Sequence, residues 1–310
     1  MSTISLSVNA DSPRYKIGMA LWTGYPENVR GFKDGLAEKG IDIDNQVEFV
    51  EGVISSDKAI QKRAAEKIKE SNVDLVYSLT TPGTVIIKET LPESTPIVFS
   101  IVTYPADSGL IESFEYSANN LVGTSNYVPL QHYVALISEL APNTKSVAIF
   151  HRKGEPNSNI QTTNLIRLLK RKNIMALNIE AVDINDLTEQ ANQVAGQVDL
   201  FITTTDTLLQ NGGETALIKI SLENKVPILS SNKAGILSGS TFGPVADLYV
   251  LGKMSGHKAA EILLNGTRPS HIESDLQEQP TFLINSQSAS LLGLEIDKNS
   301  SDKYQWYENE

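Results

Sequence analysis

The sequence predicts an α/β protein of two lobes, each built on a doubly wound parallel sheet. Short apolar runs alternate with amphipathic helical patterns almost to the end of the chain, which is typical of parallel strands covered by helices on both faces. About ten such strands are more than one twisted sheet usually holds, and a length of 310 residues suggests two domains. We therefore expect two sheets, with the division between them near 126–129.

The first lobe opens with a strand–helix–strand unit. The apolar run 16–22 predicts a strand, and Val29, Phe32 and Leu36 then fall on one face of a helix that Gly40 ends. The same alternation continues through the first half of the chain. The strands expected there are 17–21, 47–50, 73–79, 97–100 and 121–124.

The second half of the chain repeats the pattern. A long helical pattern follows at 247–265, and a last strand at 281–285 precedes a short helix at 286–292. The polar segments 1–13 and 297–310 are expected to be flexible tails. The strands expected in this half are 146–150, 176–180, 200–203, 227–230 and 240–242.

The composition argues against several classes of protein. A formal net charge of −11 repels phosphate backbones, so we expect no nucleic-acid partner. The chain has no cysteine and its four histidines form no close pair, so we expect no metal site. No turn carries a dinucleotide, P-loop or nucleophile-elbow motif, so we expect neither a cofactor nor an enzyme.

The first fifteen residues also bear on location. They are polar and lack the basic, apolar and small-residue regions of a signal peptide. We therefore expect either a cytoplasmic protein or one whose leader is absent from this sequence.

Ligands of open parallel sheets bind where strands end and helices begin, so these turns carry the candidate site. The turn after the third strand starts a helix, with Pro82 at its first position. We expect Thr81 to cap this helix, and the backbone N–H groups of Gly83 and Thr84 to bind a carboxylate. The alternative is an ordinary capped helix start. Thr80 completes the set of candidate residues in this turn.

Three turns of the second half offer further polar side chains. Asn157 and Ser158 follow a proline at a predicted helix start, where they could contact a ligand or simply be solvated. Asp206 ends a strand and could pair with a ligand ammonium group, or it could cap the helix that follows. Asn232 follows another strand and could contact a ligand or serve as an N-cap.

Three aromatic residues lie at strand ends of the first half. Trp22 and Tyr25 follow the first strand, and Tyr104 follows the fourth. A flat ring at such a position often stacks on a ligand, because it gives contact area at little entropic cost. The alternative is that each ring fills the core of its lobe.

Further stretches occur in a specific order along the chain. They are Gly31-Phe-Lys-Asp-Gly-Leu-Ala-Glu38, Val73-Asp-Leu-Val76 with Thr81-Pro82, Pro96-Ile-Val-Phe99, Asn120-Leu-Val-Gly123, Leu140-Ala-Pro-Asn143, Gly154-Glu155 with Asn157-Ser158, Asp206, Lys225-Val-Pro227 and Leu251-Gly-Lys253. With this order and spacing, the chain resembles the ABC-transporter substrate-binding proteins of the tryptophan/tyrosine-uptake type, from about Lys16 to Leu294. Proteins of that family have the type I periplasmic-binding-protein fold.

The resemblance implies two lobes that are joined by three crossovers and close on a small ligand, typically an aromatic or other amino acid. It places 14–126 and 244–274 in the first lobe, and 127–243 and 275–296 in the second.

The resemblance also implies roles for the candidate residues. The Thr81-Pro82 turn would receive the ligand carboxylate, Trp22 would line the cleft, and Asn157, Ser158 and Asp206 would face it from the second lobe. Tyr104 and Asn232 stand where the family often has Asp, which weakens the case for a standard α-amino acid.

We therefore expect a solute-binding protein of an ABC importer, with permease subunits as partners and an amino acid or related carboxylate as ligand. The resemblance further implies a monomeric lipoprotein with a signal segment, located in the periplasm or anchored at the cell surface. The alternative is a ligand-sensing domain of a receptor or regulator with the same fold.

Overall fold

The computed structural model describes residues 14–23, 25–296 and 302–308. The strands of the first sheet are β1 (Tyr15–Ala20), β2 (Val47–Glu51), β3 (Leu75–Leu79), β4 (Ile97–Ser100), β5 (Leu121–Ser125) and β11 (Asp275–Leu276). They are all parallel and lie in the order β11-β5-β4-β3-β1-β2. Every residue of β3, β4 and β5 is buried, as expected for central strands covered on both faces.

The second sheet is built in the same way, except that its two strands nearest the C-terminus run in the opposite direction to the others. Its strands are β6 (Ser146–Arg152), β7 (Met175–Ala181), β8 (Leu200–Thr203), β9 (Ile228–Leu229), β10 (Phe242–Val245), β12 (Thr281–Asn285) and β13 (Tyr304–Tyr307). They lie in the order β13-β12-β10-β9-β8-β6-β7, and only the pairing of β10 with β12 is antiparallel among the described strands.

The helices lie on both faces of the two sheets. They are α1 (Pro26–Glu38), α2 (Lys58–Glu70), α3 (Thr81–Thr90), α4 (Gln131–Leu140), α5 (Pro156–Arg171), α6 (Ile184–Val194), α7 (Glu214–Asn224), α8 (Lys233–Ser238), α9 (Leu248–Asn265) and α10 (Ser286–Leu291). The first sheet packs against α1, α2, α3 and α9, and each face of either sheet has its own cluster of buried apolar side chains. A kinked segment, Leu209–Gly213, precedes α7, and Gly212 in it has φ of +110°.

The predicted fold class, two doubly wound α/β lobes, is confirmed. The described chain crosses between the two sheets three times: after β5, between β10 and α9, and between β11 and β12. Because α9 follows β10 and packs against β4 and β5, the second crossing returns the chain to the first lobe.

The sheet pairings differ from the expected lobe boundaries at two short segments. Residues 244–245 pair with β12 in the second sheet, and 275–276 pair with β5 in the first. The sequence predicted the tenth strand only over 240–242, and Pro244, which cannot donate a backbone hydrogen bond, is an unusual residue within a strand. The strand nevertheless continues through Pro244. The neighbouring strand β9 pairs with β10 only at Phe242, so no partner strand needs a hydrogen bond from the proline.

One part of the expected C-terminal tail is structured. Residues 304–307 form β13, which pairs in parallel with β12, so the expectation of a flexible tail is wrong for this segment. Tyr304 is buried there and its hydroxyl donates to Glu139 on α4. The expected N-terminal tail, 1–13, and the rest of the C-terminal one, 297–301 and 309–310, lie outside the described residues.

Helices α1 and α9 pack with their backbones in contact, through glycines on both. A Cβ atom added to Gly31 would lie 2.1 Å from the carbonyl oxygen of Tyr249, and one added to Gly252 would lie 2.0 Å from that of Asn28. This close packing fixes the start of α9, where the Asn28 side chain donates to the carbonyl of Leu248 at 2.8 Å. Larger residues in place of these glycines would push the two helices apart. The start of α9, where the chain returns to the first lobe, would then move as well.

We expect Gly252→Ala to destabilise the protein by roughly 1–3 kcal/mol, the usual range for overpacking a core, because the two helices must separate. Chemical denaturation measures the change. Gly196→Ala is the matched control, because a Cβ atom there meets nothing within 4 Å. Equal stability of the two variants would show that the α1–α9 contact is not as tight as described.

Candidate functional site

The predicted site residues all lie at the carboxyl ends of strands, on the edges of the two sheets that face each other. In the first lobe Trp22 and Tyr25 follow β1, the Thr80–Thr84 turn follows β3, and Tyr104 follows β4. In the second lobe Asn157 and Ser158 begin α5 after β6, while Asp206 follows β8 and Asn232 follows β9. The side chains of all these residues are buried.

The two lobes contact each other across this cleft. The hydroxyl of Thr103, in the loop after β4, lies 3.1 Å from that of Thr205, after β8, and also donates to Asn126 at 3.0 Å. Burial raises the pKa of Tyr25 in the first lobe, and the negative charges of Glu155 and Asp206 in the second raise it further. The cleft is therefore closed in this structure.

Several polar atoms in the closed cleft are buried without a hydrogen-bond partner in the protein. Among the described residues nine side chains have such an atom, and four of them are predicted site residues. The atoms are Nε1 of Trp22, Oγ1 of Thr81 and the hydroxyl of Tyr104 in the first lobe, and Oδ1 of Asn157 in the second. Because native proteins rarely leave buried polar atoms unsatisfied, this concentration indicates a ligand site.

The helix start after β3 is capped one residue earlier than predicted. Thr80 is the N-cap, and its Oγ1 accepts from the N–H of Gly83 at 3.3 Å. The N–H of Thr84 donates to the carbonyl of Thr80 at 2.9 Å. The expectation that these two N–H groups are free for a carboxylate is therefore wrong. Since Thr80 takes the capping role, the hydroxyl of Thr81 is left over.

Gly83 has a different role from the one expected. A Cβ atom at Gly83 would lie 3.2 Å from the Trp22 ring, so the glycine makes room for the indole. Trp22 therefore packs with its indole ring against the first turn of α3.

The backbone is strained where β3 and β4 end. Thr80 has φ of +67° and Ile101 has φ of +57°, a region that β-branched residues rarely adopt. The two strained segments are joined, because the N–H of Thr80 donates to the carbonyl of Ser100 at 3.1 Å. Strain of this kind costs on the order of 1–3 kcal/mol per residue and clusters at binding sites.

Asn157 and Ser158 have different environments, although both begin α5. The Nδ2 of Asn157 donates to the carbonyl of Thr205 at 2.6 Å, which orients the amide and leaves Oδ1 as the free acceptor. Ser158 donates to the carbonyl of Glu155 at 3.1 Å, so its proton is used within its own turn. Of the two, Asn157 is the one suited to contact a ligand.

Asp206 is surrounded by protein donors. Its Oδ1 accepts from the N–H groups of Leu208 and Leu209, each at 2.9 Å. Its Oδ2 accepts from the N–H of Arg152 and the hydroxyl of Thr204, each at 2.8 Å. These four bonds use the acceptor capacity of the carboxylate. The arrangement favours the alternative interpretation, in which Asp206 caps the helical segment that follows it.

Asn232 is also engaged inside the second lobe. Its Nδ2 donates to Oε2 of Glu214 at 2.7 Å, and Glu214 accepts further bonds from Thr203 and Ser240. Burial raises the pKa of Glu214, and the three donors oppose that effect. Asn232 and Tyr25 both line a cavity of about 170 Å³ at the side of the cleft. An aspartate at position 232 would instead place two carboxylates in contact.

Sequence reasoning missed one buried acid of this site. Glu155 is 5% exposed and follows β6, and burial together with the charge of Asp206 raises its pKa to about 7. The stretch Gly154-Glu155 was available as a signal, because it belongs to the pattern shared with the substrate-binding family. The contacts of Thr103 with Thr205, and of Thr205 with Gln161, had no such signal.

The chain matches one protein-family model, described as ABC transporter substrate binding protein, over residues 23–303. It belongs to that family. A relative from Clostridioides difficile, named tyrosine-binding protein, is 25% identical over 304 residues, which cover 97% of this chain and 87% of the relative.

Solved structures share the fold. One, an ABC domain in complex with L-Trp from Streptococcus pneumonia, is 22% identical and has a TM-score of 0.88, with 95% of this chain and 99% of that chain covered. Another is the ligand-free, open structure of a substrate-binding protein with adhesive properties from Clostridium difficile. It is also 22% identical, with a TM-score of 0.73 and coverage of 96% and 100%.

Membership of the family establishes a substrate-binding protein of an ABC transporter, a class that works outside the cytoplasm and binds ligands rather than converting them. In the described part of the chain, no helix is long and apolar enough to span a bilayer.

We expect Asp206→Ala to reduce stability more than ligand affinity. Loss of the N-cap costs about 1 kcal/mol, and the other two donors, the N–H of Arg152 and the hydroxyl of Thr204, cost about 1–3 kcal/mol each when left unsatisfied, so a total of about 3–7 kcal/mol is expected. Chemical denaturation and calorimetry on the same preparation separate the two effects. A large loss of affinity with unchanged stability would restore Asp206 as the residue that binds the ligand ammonium.

Proposed function

We propose that this protein captures an α-amino acid in the cleft between its lobes and presents it to the permease subunits of an ABC importer. The observation that carries the proposal is the set of four buried, unsatisfied polar atoms, three from the first lobe and one from the second. An amino acid offers hydrogen-bond donors and acceptors in one small molecule, so it can satisfy atoms of both kinds.

The first lobe suits the carboxylate end of such a ligand. The hydroxyl of Thr81 can donate a hydrogen bond, and it lies in the first turn of α3. The start of a helix carries a partial positive charge that stabilises a nearby anion. Trp22 adds an N–H group that can only donate.

The second lobe suits the ammonium end. The free atom of Asn157 is an acceptor, fixed in orientation by the bond from Nδ2 to Thr205. The buried acids Glu155 and Asp206 add negative charge on the same side. The cleft is therefore polarised, with donors in the first lobe and acceptors in the second, in the sense that an α-amino acid requires.

The side chain of the ligand is proposed to be aromatic. Trp22 and Tyr104 are large flat rings at the cleft, and Tyr104 stands at 5.3 Å from the ring of Tyr127. The names of two similar proteins, a tyrosine-binding protein and a complex with L-Trp, support this class of ligand. Tyr104 and Asn232 are neutral, although the family often has Asp at these positions. The acids at or behind the cleft are instead Glu155, Asp206 and Glu214.

Ligand binding is proposed to draw the lobes together, because each lobe supplies only part of the contacts. A ligand that prefers the closed form shifts the population toward it. The higher TM-score with the L-Trp complex than with the open, ligand-free structure supports the closed arrangement seen here.

We further propose that the protein acts as a monomer in the periplasm or anchored at the cell surface through a lipid. A ligand-sensing role would use the same cleft, with a receptor in place of the permease.

Replacement of Thr81 by valine tests the proposed carboxylate contact. Thr81→Val keeps the shape of the side chain and removes a buried hydroxyl that has no protein partner, so the free protein should be as stable as the wild type or more stable. Affinity for the best ligand of an amino-acid panel should fall by about 10-fold to 100-fold, since hydrogen bonds to charged groups contribute roughly 1.5–3 kcal/mol. Calorimetry and thermal denaturation give the two values.

Thr84→Val is the matched control, because the Thr84 hydroxyl is paired with that of Ser78 at 2.9 Å inside the lobe. This variant should lose stability and keep more of its affinity. If Thr81→Val binds the amino acid as tightly as the wild type, the carboxylate is not held at α3. If the wild type binds no amino acid, the proposed function fails.

A further inference from the structure

The side chain of Glu155 does not cap its own helix. Glu155 is the residue before α5, yet its carboxylate makes no capping bond there. Its Oε2 accepts from the hydroxyl of Thr207 at 2.7 Å, and the Thr207 N–H is shared between the two oxygens at 3.2 and 3.3 Å. Glu155 therefore reaches to the loop after β8, and among the described residues its Oε1 has only one long hydrogen bond.

Glu155 and Asn157 converge on the same loop. Asn157 donates to the carbonyl of Thr205, while Glu155 accepts from Thr207, two residues further on. The first lobe faces this loop with Tyr25, whose pKa is raised in part by the charges of Glu155 and Asp206. Glu155 is thus a buried acceptor at the place where the two lobes meet.

The negative charge of this cluster is offset only in part by nearby cations, none of which forms an ion pair with either acid among the described residues. Glu155 and Asp206 are both buried acids, and Arg152 is the cation beside them. The Arg152 side chain donates to the hydroxyl of Thr207 at 2.7 Å and makes no ion pair with either acid among the described residues. His151 also lies near Asp206, but its Nε2 is 2.6 Å from Oδ1 of Asn178.

The two acids differ in the room that they leave for a further donor. Asp206 accepts four bonds from protein donors, whereas Oε1 of Glu155 accepts only a shared N–H. A cation that enters the cleft can therefore bond to Glu155 without displacing a protein donor. The raised pKa of Glu155 has the same origin, because its charged form is buried beside another acid without a full counter-charge.

We propose that Glu155, rather than Asp206, recognises the ammonium group of the ligand, and so restricts the site to amino acids over the corresponding carboxylic acids without an amine. The proposal rests on the proposed function of the same cleft. Together with Asn157, Glu155 gives the ammonium two acceptors from one loop region. Its charge also makes closure depend on the amine, since an ammonium group supplies the positive charge that the closed cleft lacks.

The test compares each amino acid with its desamino analogue. L-tryptophan is paired with indole-3-propionate, and L-tyrosine with 3-(4-hydroxyphenyl)propionate, and calorimetry gives the affinity ratio of each pair. The wild type should favour the amino acid by about 10-fold to 100-fold or more, as expected for a charge-assisted hydrogen bond. In Glu155→Gln this ratio should fall by about tenfold. The amino acid loses the charged partner of its ammonium group, whereas the analogue has no ammonium group and is little affected. A purely structural role would weaken both ligands alike.

Asp206→Asn is the matched control. This variant removes the neighbouring charge and disturbs the donors around Asp206, so stability should fall. The affinity ratio of amino acid to analogue should stay mostly unchanged. An unchanged ratio in Glu155→Gln, or a larger fall in Asp206→Asn, would overturn the assignment. If the wild type binds neither member of any pair, the proposed function itself fails, which is a different result.

A structure of the wild type with its preferred amino acid keeps the proposal testable if Glu155→Gln does not fold. The ligand nitrogen should lie within hydrogen-bond distance of a Glu155 carboxylate oxygen. A nitrogen bonded to Asp206, with the N–H groups of Leu208 or Leu209 displaced, would contradict the proposal.

Discussion

The cleft is governed by the rule that a polar atom removed from water must find a hydrogen-bond partner. At many other buried positions protein groups meet the rule, as in the chain of hydroxyls that joins Ser100, Thr124 and Ser255 inside the first lobe. At the ends of β1, β3, β4 and β6 it is not met, and the unsatisfied atoms belong to Trp22, Thr81, Tyr104 and Asn157. These atoms come from both lobes, and the proposed ligand is a small molecule that bonds to them from between the lobes.

The rest of the fold holds these atoms in place. Thr80 has a strained backbone conformation and caps α3 with its side chain. The hydroxyl of Thr81 is therefore not needed as a cap. Gly83 lets the indole of Trp22 lie against the same helix turn. In the second lobe, Thr205 receives Asn157 and meets Thr103 from the first lobe. Within each lobe these contacts orient the candidate groups, which lowers the ordering cost that a ligand would have to meet there.

The sequence predicts the fold well, because hydrophobic periodicity reports directly on burial. The central strands are continuous apolar runs, and α1 shows its face at Val29, Phe32 and Leu36. β13 was not predicted, because a polar C-terminal segment with three aromatic residues gives no clear period, and its structure depends on pairing with β12. The continuation of β10 through Pro244 was missed for a similar reason, since it depends on which neighbour the strand has at that point.

The strand-end positions of the candidate residues were also predictable, but their contacts were not. Strand ends in a parallel sheet meet at one edge, so Thr81, Asn157 and Asp206 could be assigned to the cleft from their place in the chain. The choice between Thr80 and Thr81 as cap depends on one backbone angle, and the choice between Asp206 and Glu155 depends on which carboxylate is already satisfied. Both are three-dimensional facts that a linear pattern does not contain.

The central claim is that the cleft binds an α-amino acid. The most direct measurement incubates the purified protein with an equimolar mixture of amino acids, sugars and carboxylic acids, removes free ligand, and identifies by mass spectrometry what denaturation releases. The polarised cleft predicts that an amino acid, and an aromatic one before others, is retained at about one molecule per chain. Release of a sugar, or of a carboxylic acid without an amine, would contradict the claim.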